Sequence, residues 1–300
     1  MRASATASSG AAGKGRLMDR TRREVVAGAA ALPLAGGRAH AAAPRRVVSI
    51  NSCTDGLLLD LGDRSQVAAL SHYAREAENL TVFERAKPFP VMHESAEEIV
   101  ALRPDLVLAS RHNALATREA LRKLNIRIAT FAVPATVAES RDQVVRMARA
   151  LGHAERGAAL VGRIDAAFAA AAPRPGMRRP TALVFQSNGF TAGSDTLVGE
   201  LLTRTGFENA AGRYGLRRWG NLRLEQLLAD PPDLLISGVR MDGAPTWADR
   251  IGKHPALKAV AGRMQRDIVP EGLLFCGGGV FIAAAARLAA VRDRYLRKTA

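Results

Sequence analysis

Cys53 and Cys276 are the two cysteines of this 300-residue chain, and six histidines accompany them. An even pair of cysteines in an oxidising compartment forms a disulfide by default. Two other readings stay open: neutral thiols lining a pocket, or thiolates touching a metal centre with help from His72, His93 or His112. The spacing fits no closed zinc site. A thiol-dependent extracytoplasmic enzyme would use Cys53 or Cys276 as its nucleophile beside a base, and this is the alternative function. The chain has no nucleophile elbow, phosphate loop or dinucleotide fingerprint. Gly277-Gly278-Gly279 lacks the strand–helix spacing that a phosphate loop requires. No catalytic residue and no covalently bound cofactor is therefore expected.

The elements that must position these residues alternate between strand and helix. Residues 46–50 form a short β-branched run, and the polar turn Asn51-Ser52-Cys53-Thr54-Asp55 can cap a helix over 57–61. Residues 67–71 read as strand, Ser95-Ala96-Glu97-Glu98 as a capping box, 106–109 as a buried strand, 117–124 as helix and 126–131 as strand. Residues 137–172 carry apolar side chains at helical spacing, broken only by Gly152 and Gly157, and are expected to form one spine helix long enough to span a small domain. Pro173-Arg174-Pro175-Gly176 stops it. The alternation then resumes, with strands at 181–186 and 267–270 and helices at 194–205, 222–229, 254–261 and 281–296. Asp230-Pro231-Pro232-Asp233-Leu234-Leu235-Ile236-Ser237 echoes Leu102-Arg103-Pro104-Asp105-Leu106-Val107-Leu108-Ala109. The expected fold class is α/β: two Rossmann-like lobes, residues 44–136 and 173–300, joined by one long helix, with a ligand cleft between them.

Charge and the first residues bear on location. The formal charge of +15 invites a nucleic-acid reading, but seven basic against two acidic side chains fall within residues 1–43. The remaining positive charge is mostly arginine, dispersed among Asp and Glu, and no nucleic-acid partner is expected. Thr21-Arg22-Arg23-Glu24 precedes an apolar stretch ending at Leu34, and Ala39-His40-Ala41 supplies small residues for a cut. Residues 1–43 thus read as a cleaved export leader of the twin-arginine type, whether translation starts at Met1 or Met18, and the location expected is periplasmic.

The ordered set of pieces resembles the periplasmic binding proteins for vitamin B12, ferric siderophores and haem, the helical-backbone class of ABC-importer receptors. The likeness is carried by Arg46-Val47-Val48-Ser49-Ile50-Asn51, by residues 95–107, by the spine, and by Leu224-Glu225-Gln226-Leu227-Leu228 through Pro232-Asp233-Leu234-Leu235. It implies a monomeric solute-binding protein that closes little on binding and delivers a metal chelate to a membrane permease. The chelate expected is a ferric siderophore or cobalamin, with haem after them. By the same likeness the loops after the strands line the cleft, which places Cys53, Tyr73, His93, Arg111, His112, Phe190, Trp219, Arg240 and Cys276 against the ligand. Tyr73 and Trp219 fall where B12 receptors have aromatic contacts; His93 stands where those receptors have another aromatic ring. Arg111, Arg217, Arg218 and Arg240 would suit an anionic chelate. Glu97 and Glu225 fall where each lobe of the family presents a carboxylate to arginines of the transporter.

Overall fold

The computed structural model describes residues 42–299 apart from 77–80, 112–114, 187–188, 240–254, 256, 258–259 and 261. The first lobe is a parallel sheet in the order β3-β2-β1-β4-β5, with β1 Val47–Ser49, β2 Val67–Ser71, β3 Val91–Met92, β4 Leu106–Ser110 and β5 Ile128–Phe131. Between these strands lie α1 Ser52–Leu61, α2 Phe83–Ala86, α3 Ala96–Ala101 and α4 Leu115–Lys123. The caps foreseen in the sequence are present at Asn51, whose side chain accepts from the Cys53 amide, and at Ser95, which accepts from the Glu98 amide.

In each lobe the repeated Pro-Asp pair fixes where the central strand begins. Asp105, one residue before β4, accepts from the backbone amides of Arg45 at 2.6 Å and Arg46 at 3.0 Å, just ahead of β1. The second lobe repeats the device. Strand β6 Thr181–Phe185 begins at Thr181, whose amide donates to Asp233 Oδ2 at 2.8 Å, one residue before β10 Leu234–Val239. Burial pushes the Asp233 carboxyl up, but the Thr181 amide, the Tyr295 hydroxyl and Arg178 outweigh that and hold it below the usual carboxylate range. A carboxylate that caps the amides of a neighbouring strand helps to fix parallel register: β1 pairs with β4 and β6 with β10.

The second sheet departs from a simple repeat. Its order is β11-β10-β6-β7-β9, with β8 also paired to β6; β11 is Gln265–Pro270, and β7 Phe190–Thr191, β8 Glu208–Asn209 and β9 Gly220–Asn221 are two-residue strands. Strand β7 runs antiparallel to both β6 and β9. Two-residue strands have no period to detect, so residues 190–191 read as loop in the sequence. Helices α7 Leu197–Arg204 and α8 Leu224–Ala229 complete the lobe, and the chain closes on α9 Val280–Thr299. The helix expected over 254–261 falls largely outside the described residues.

The spine needs correcting. Residues 137–172 form two helices, α5 Val137–Leu151 and α6 Ala154–Ala171, folded back on one another. Gly152 takes the left-handed conformation at φ 85° and ends α5 as a glycine C-cap does. The Arg141–Asp165 ion pair at 2.9 Å shows the antiparallel arrangement, since 24 residues of continuous helix would hold those side chains about 36 Å apart. A Cβ on Gly157 would meet Ala148 Cβ at 2.5 Å, so the second glycine lets the helices approach. The joining helix of the fold is therefore α6 alone, and α5 packs on α1.

One apolar cluster runs through the helical layer between the two sheets. It takes Leu57, Leu58, Val144 and Met147 from α1 and α5, and Leu197, Phe281 and Leu288 from α7 and α9. Polar stitches run along the same seam. The Val137 amide donates to Glu200 of α7 at 2.7 Å, the Gly278 amide to Ser140 Oγ at 2.8 Å, and the Gly279 amide to Asp60 of α1. A Cβ on Gly277 would overlap Ser140, one on Gly278 would overlap Leu57, and one on Gly279 would overlap Asp60. The three-glycine run is thus a close-approach strip.

Gly278→Ala, which meets Leu57 and also sits at φ 79°, should lower the free energy of unfolding by about 2 kcal/mol or more in urea titrations. Gly162→Ala, on the exposed face of α6 with nothing near its Cβ, should instead raise it by about 0.5–1 kcal/mol. Equal effects at the two positions would refute this account of the strip.

Candidate functional site

Cys53 and Cys276 form a disulfide, with Cα atoms 5.2 Å apart. Cys53 sits in the first turn of α1, and Cys276 in the loop between a 3-10 turn, Glu271–Leu273, and α9. The bridge therefore continues the interlobe seam that passes through Gly277, Gly278 and Gly279. This closes the alternatives left by the sequence: the sulfurs are not thiolate ligands, and neither is the free nucleophile that a thiol-dependent enzyme would need. Among the described residues, no group of three or more His, Cys, Asp or Glu side chains is placed to hold a metal ion.

Two ring clusters are present, one on each lobe. On the second lobe Phe190 stacks on Trp219 with centroids 4.9 Å apart and planes at 12°, and Trp219 faces Phe275 at 6.1 Å and 22°. The backbone holds Trp219 from both sides. The Gly193 and Asp195 amides donate to the carbonyls of Arg218 and Arg217, at 3.1 and 2.7 Å. The Leu222 amide donates to Gly189 O at 2.8 Å. A side chain at Gly193 would overlap the Arg217 carbonyl, so glycine is required for that approach. Phe190, Trp219 and Phe275 line a largely apolar cavity of about 440 Å³, closed on the other side by Val133, Pro134 and Ala135 at the end of the first lobe. Sequence reasoning placed Phe190, Trp219 and the loop Phe275-Cys276-Gly277-Gly278 at the cleft, but not the 133–135 segment, which carries no motif of its own.

On the first lobe His72 lies over Tyr73 with centroids 3.9 Å apart and stacks on His93 at 5.0 Å and 21°. His72 and Tyr73 follow β2 and the exposed His93 follows β3, so this cluster crowns the carboxyl ends of parallel strands, whereas the other lies along the antiparallel β7–β9 pair. Arg111 is exposed at the end of β4, where its amide donates to Phe131 O. His112 and Arg240 lie outside the described residues. Arg217, expected to suit an anionic ligand, is instead paired with Asp195 at 2.9 Å on the surface. Its partner, 22 residues earlier in the chain, was not evident from spacing. Glu97 and Glu225 are both exposed in the first turns of α3 and α8, and among the described residues neither enters an ion pair.

Beneath the first ring cluster is a buried carboxyl. Asp55, with no exposed surface, accepts from the Ser71 amide at 3.1 Å and from the Ser71 hydroxyl. Burial pushes its carboxyl up to about 7; hydrogen bonds from Ser49 and Ser71 oppose the shift, and the charge of Glu94 adds to it. Along the seam, burial also raises the Asp60 carboxyl, although Arg85 at 2.8 Å, Arg163 and the Gly279 amide pull it back. Asp60, Arg85, Arg163 and both cysteines border a second cavity of about 480 Å³.

Two α/β lobes, linked by a helix and carrying one ring cluster each, define the architecture of a two-lobed binding-protein fold. A family profile described as periplasmic binding protein matches residues 47–264, and the chain belongs to that family. The cobalamin-binding protein of Halobacterium salinarum is 28% identical over 206 residues, 66% of this chain and 55% of that protein. The chain thus spans about half the length of the curated relatives it matches. Among solved structures, the periplasmic haem-binding protein RhuT of Roseiflexus sp. RS-1 in apo form superposes with a TM-score of 0.69 at 24% identity, covering 84% of this chain and 97% of that one. The periplasmic vitamin B12 binding protein BtuF of Vibrio cholerae superposes at 0.60 with 15% identity, covering 84% and 98%. At these identities the likeness to both structures is one of fold. No helix among the described residues is long and apolar enough to cross a membrane.

The Asp55 carboxyl binds its proton more tightly when folded, at about 7 against 3.8 unfolded. Its contribution is therefore complete below the lower value and is lost as pH rises through the higher one. Between about pH 5 and about pH 8, the wild-type unfolding free energy should fall relative to Asp55→Asn by an amount on the order of a few kcal/mol. Urea titrations at the two pH values measure it, and parallel profiles for the two proteins would refute the buried-acid assignment.

Proposed function

We propose that this protein is an extracytoplasmic receptor that grips a planar metal–macrocycle complex, a corrinoid or a metalloporphyrin, and presents it to an ABC importer. The observation that carries this is the Phe190–Trp219–Phe275 stack on an apolar cavity, with a second ring cluster at His72, Tyr73 and His93. Flat aromatic faces in a largely preformed pocket favour a ligand with a large π surface. The cobalamin-binding relative, 28% identical over 206 residues, points the same way. Pairing of Arg217 with Asp195 removes one of the cations that favoured an anionic siderophore. With both sulfurs in a disulfide, the candidates for a metal contact among the described residues are Tyr73, His72 and His93.

The seam between the lobes supports a cleft that alters little on loading. An apolar layer, three amide stitches and a covalent bridge leave no flexible hinge among the described residues. Delivery would then be read by the transporter through surface charge. Glu97 and Glu225, one exposed carboxylate at a helix start on each lobe, are the residues we assign to that docking. The bridge is consistent with a periplasmic location, where disulfides persist.

Titrating tryptophan fluorescence with cyanocobalamin, haemin and ferrioxamine should give saturable, stoichiometric quenching, with a dissociation constant below about a micromolar for a macrocycle. Trp219→Ala should weaken that ligand by about tenfold or more, the scale of losing one aromatic platform. Glu97→Gln with Glu225→Gln should leave the affinity unchanged and reduce receptor-stimulated ATP hydrolysis by the cognate importer in proteoliposomes. Binding of ferrioxamine alone, or of none of the three, would overturn the ligand class.

A further inference from the structure

The Phe275–Cys276–Gly277 strip packs closely, with Cys276 against the main apolar cluster and Gly277 against Ser140, but its backbone is little bonded. Leu274 ahead of it is fully buried, and the Gly278 amide after it is bound to Ser140. Among the described residues the amides of Phe275, Cys276 and Gly277 make no backbone hydrogen bond. Glycine on the carboxyl side adds conformational freedom that must be lost when the strip is ordered. The covalent tether inside the strip is the Cys53–Cys276 bond, which anchors it to the first turn of α1 on the other lobe. Phe275, adjacent to the tethered cysteine, is half-buried and forms the third ring of the Trp219 stack.

We propose that Cys53 and Cys276 are positioning residues for the ligand wall: their disulfide holds Phe275 against Trp219, and reducing it loosens the wall and weakens the grip on the ligand. The affinity part of this inference rests on the receptor reading above. Both cysteines are half-buried and border the cavity of about 480 Å³, so a small thiol can reach them. In the step itself, a thiolate of the reductant attacks one sulfur and forms a mixed disulfide, releasing the other cysteine as thiolate. A second thiolate then displaces the first cysteine. Two electrons and two protons pass to the protein, leaving two thiols, and the dithiol reductant ends as its own disulfide. The remaining seam contacts are non-covalent and unaffected, so the lobes stay together while the strip gains freedom.

The test uses the full protein carrying Trp247→Phe, so that Trp219 is the reporting indole, with dithiothreitol as reductant. Reduction should increase the acrylamide quenching constant of Trp219 about twofold without ligand, and weaken binding of cyanocobalamin or haemin about tenfold. Cys53→Ser with Cys276→Ser should show the reduced values whether or not dithiothreitol is present. Phe275→Ala should weaken binding to a similar degree and remove its dependence on dithiothreitol. If reduction lowers the thermal midpoint yet leaves both Trp219 quenching and affinity unchanged, the bridge only stabilises the fold and the proposal fails. If the oxidised protein binds neither macrocycle, the ligand class fails, while the ligand-free Trp219 response still decides whether the bridge orders Phe275.

Discussion

Residues 277–279 run so close to α1 and α5 that one added methyl group at any of them would overlap a heavy atom on the facing helices. Other features depend on that approach. It brings the Gly278 amide within hydrogen-bonding distance of Ser140, seats the start of α9 beside Asp60, and lets Cys276 reach Cys53. Without side chains in the way, one apolar layer covers the inner faces of α1, α5, α6, α7 and α9, and the two sheets share a single core. Under the receptor function proposed above, a seam joined in this way among the described residues puts selectivity in the shape and chemistry of a standing cleft, and so in how firmly its rings are held.

The second lobe holds its key ring through backbone geometry. Strands β7 and β9 are two residues each and would contribute little as strands, yet they close a ladder around Trp219, with Gly189 and Gly193 permitting the close passes. The first lobe uses a different device, with His72 and Tyr73 projecting from a 3-10 turn directly after β2. The asymmetry is chemical as well. Carbon rings line an apolar cavity on one lobe, and imidazole and phenol rings stand near a buried acid on the other.

Local chemistry made much of this legible in advance. The Pro-Asp repeat marked the two lobes because each aspartate performs a strand-anchoring task that leaves a fixed residue order, and the caps at Asn51 and Ser95 are likewise short-range. The spine was misjudged over 137–172 because apolar spacing reports a buried face but not whether the chain doubles back; only Gly152 in the left-handed conformation distinguishes a hairpin from a rod. The fate of the cysteines could not be read, since it depends on the meeting of two lobes. The pairing of Arg217 with Asp195 depends on an antiparallel turn made by strands too short to show a period. Tyr73, Phe190, Trp219 and the loop carrying Phe275 were recognisable from their places after strands, whereas the stacking of Phe275 on Trp219 is a contact in space that spacing could not show.

The separation of 223 residues between the cysteines has a consequence for biogenesis. The bond closes a loop through most of the described fold, and its two ends meet where packing from both sheets brings α1 to the start of α9. Closing so long a loop costs entropy that this packing offsets, so the native pairing is favoured most once both lobes have assembled.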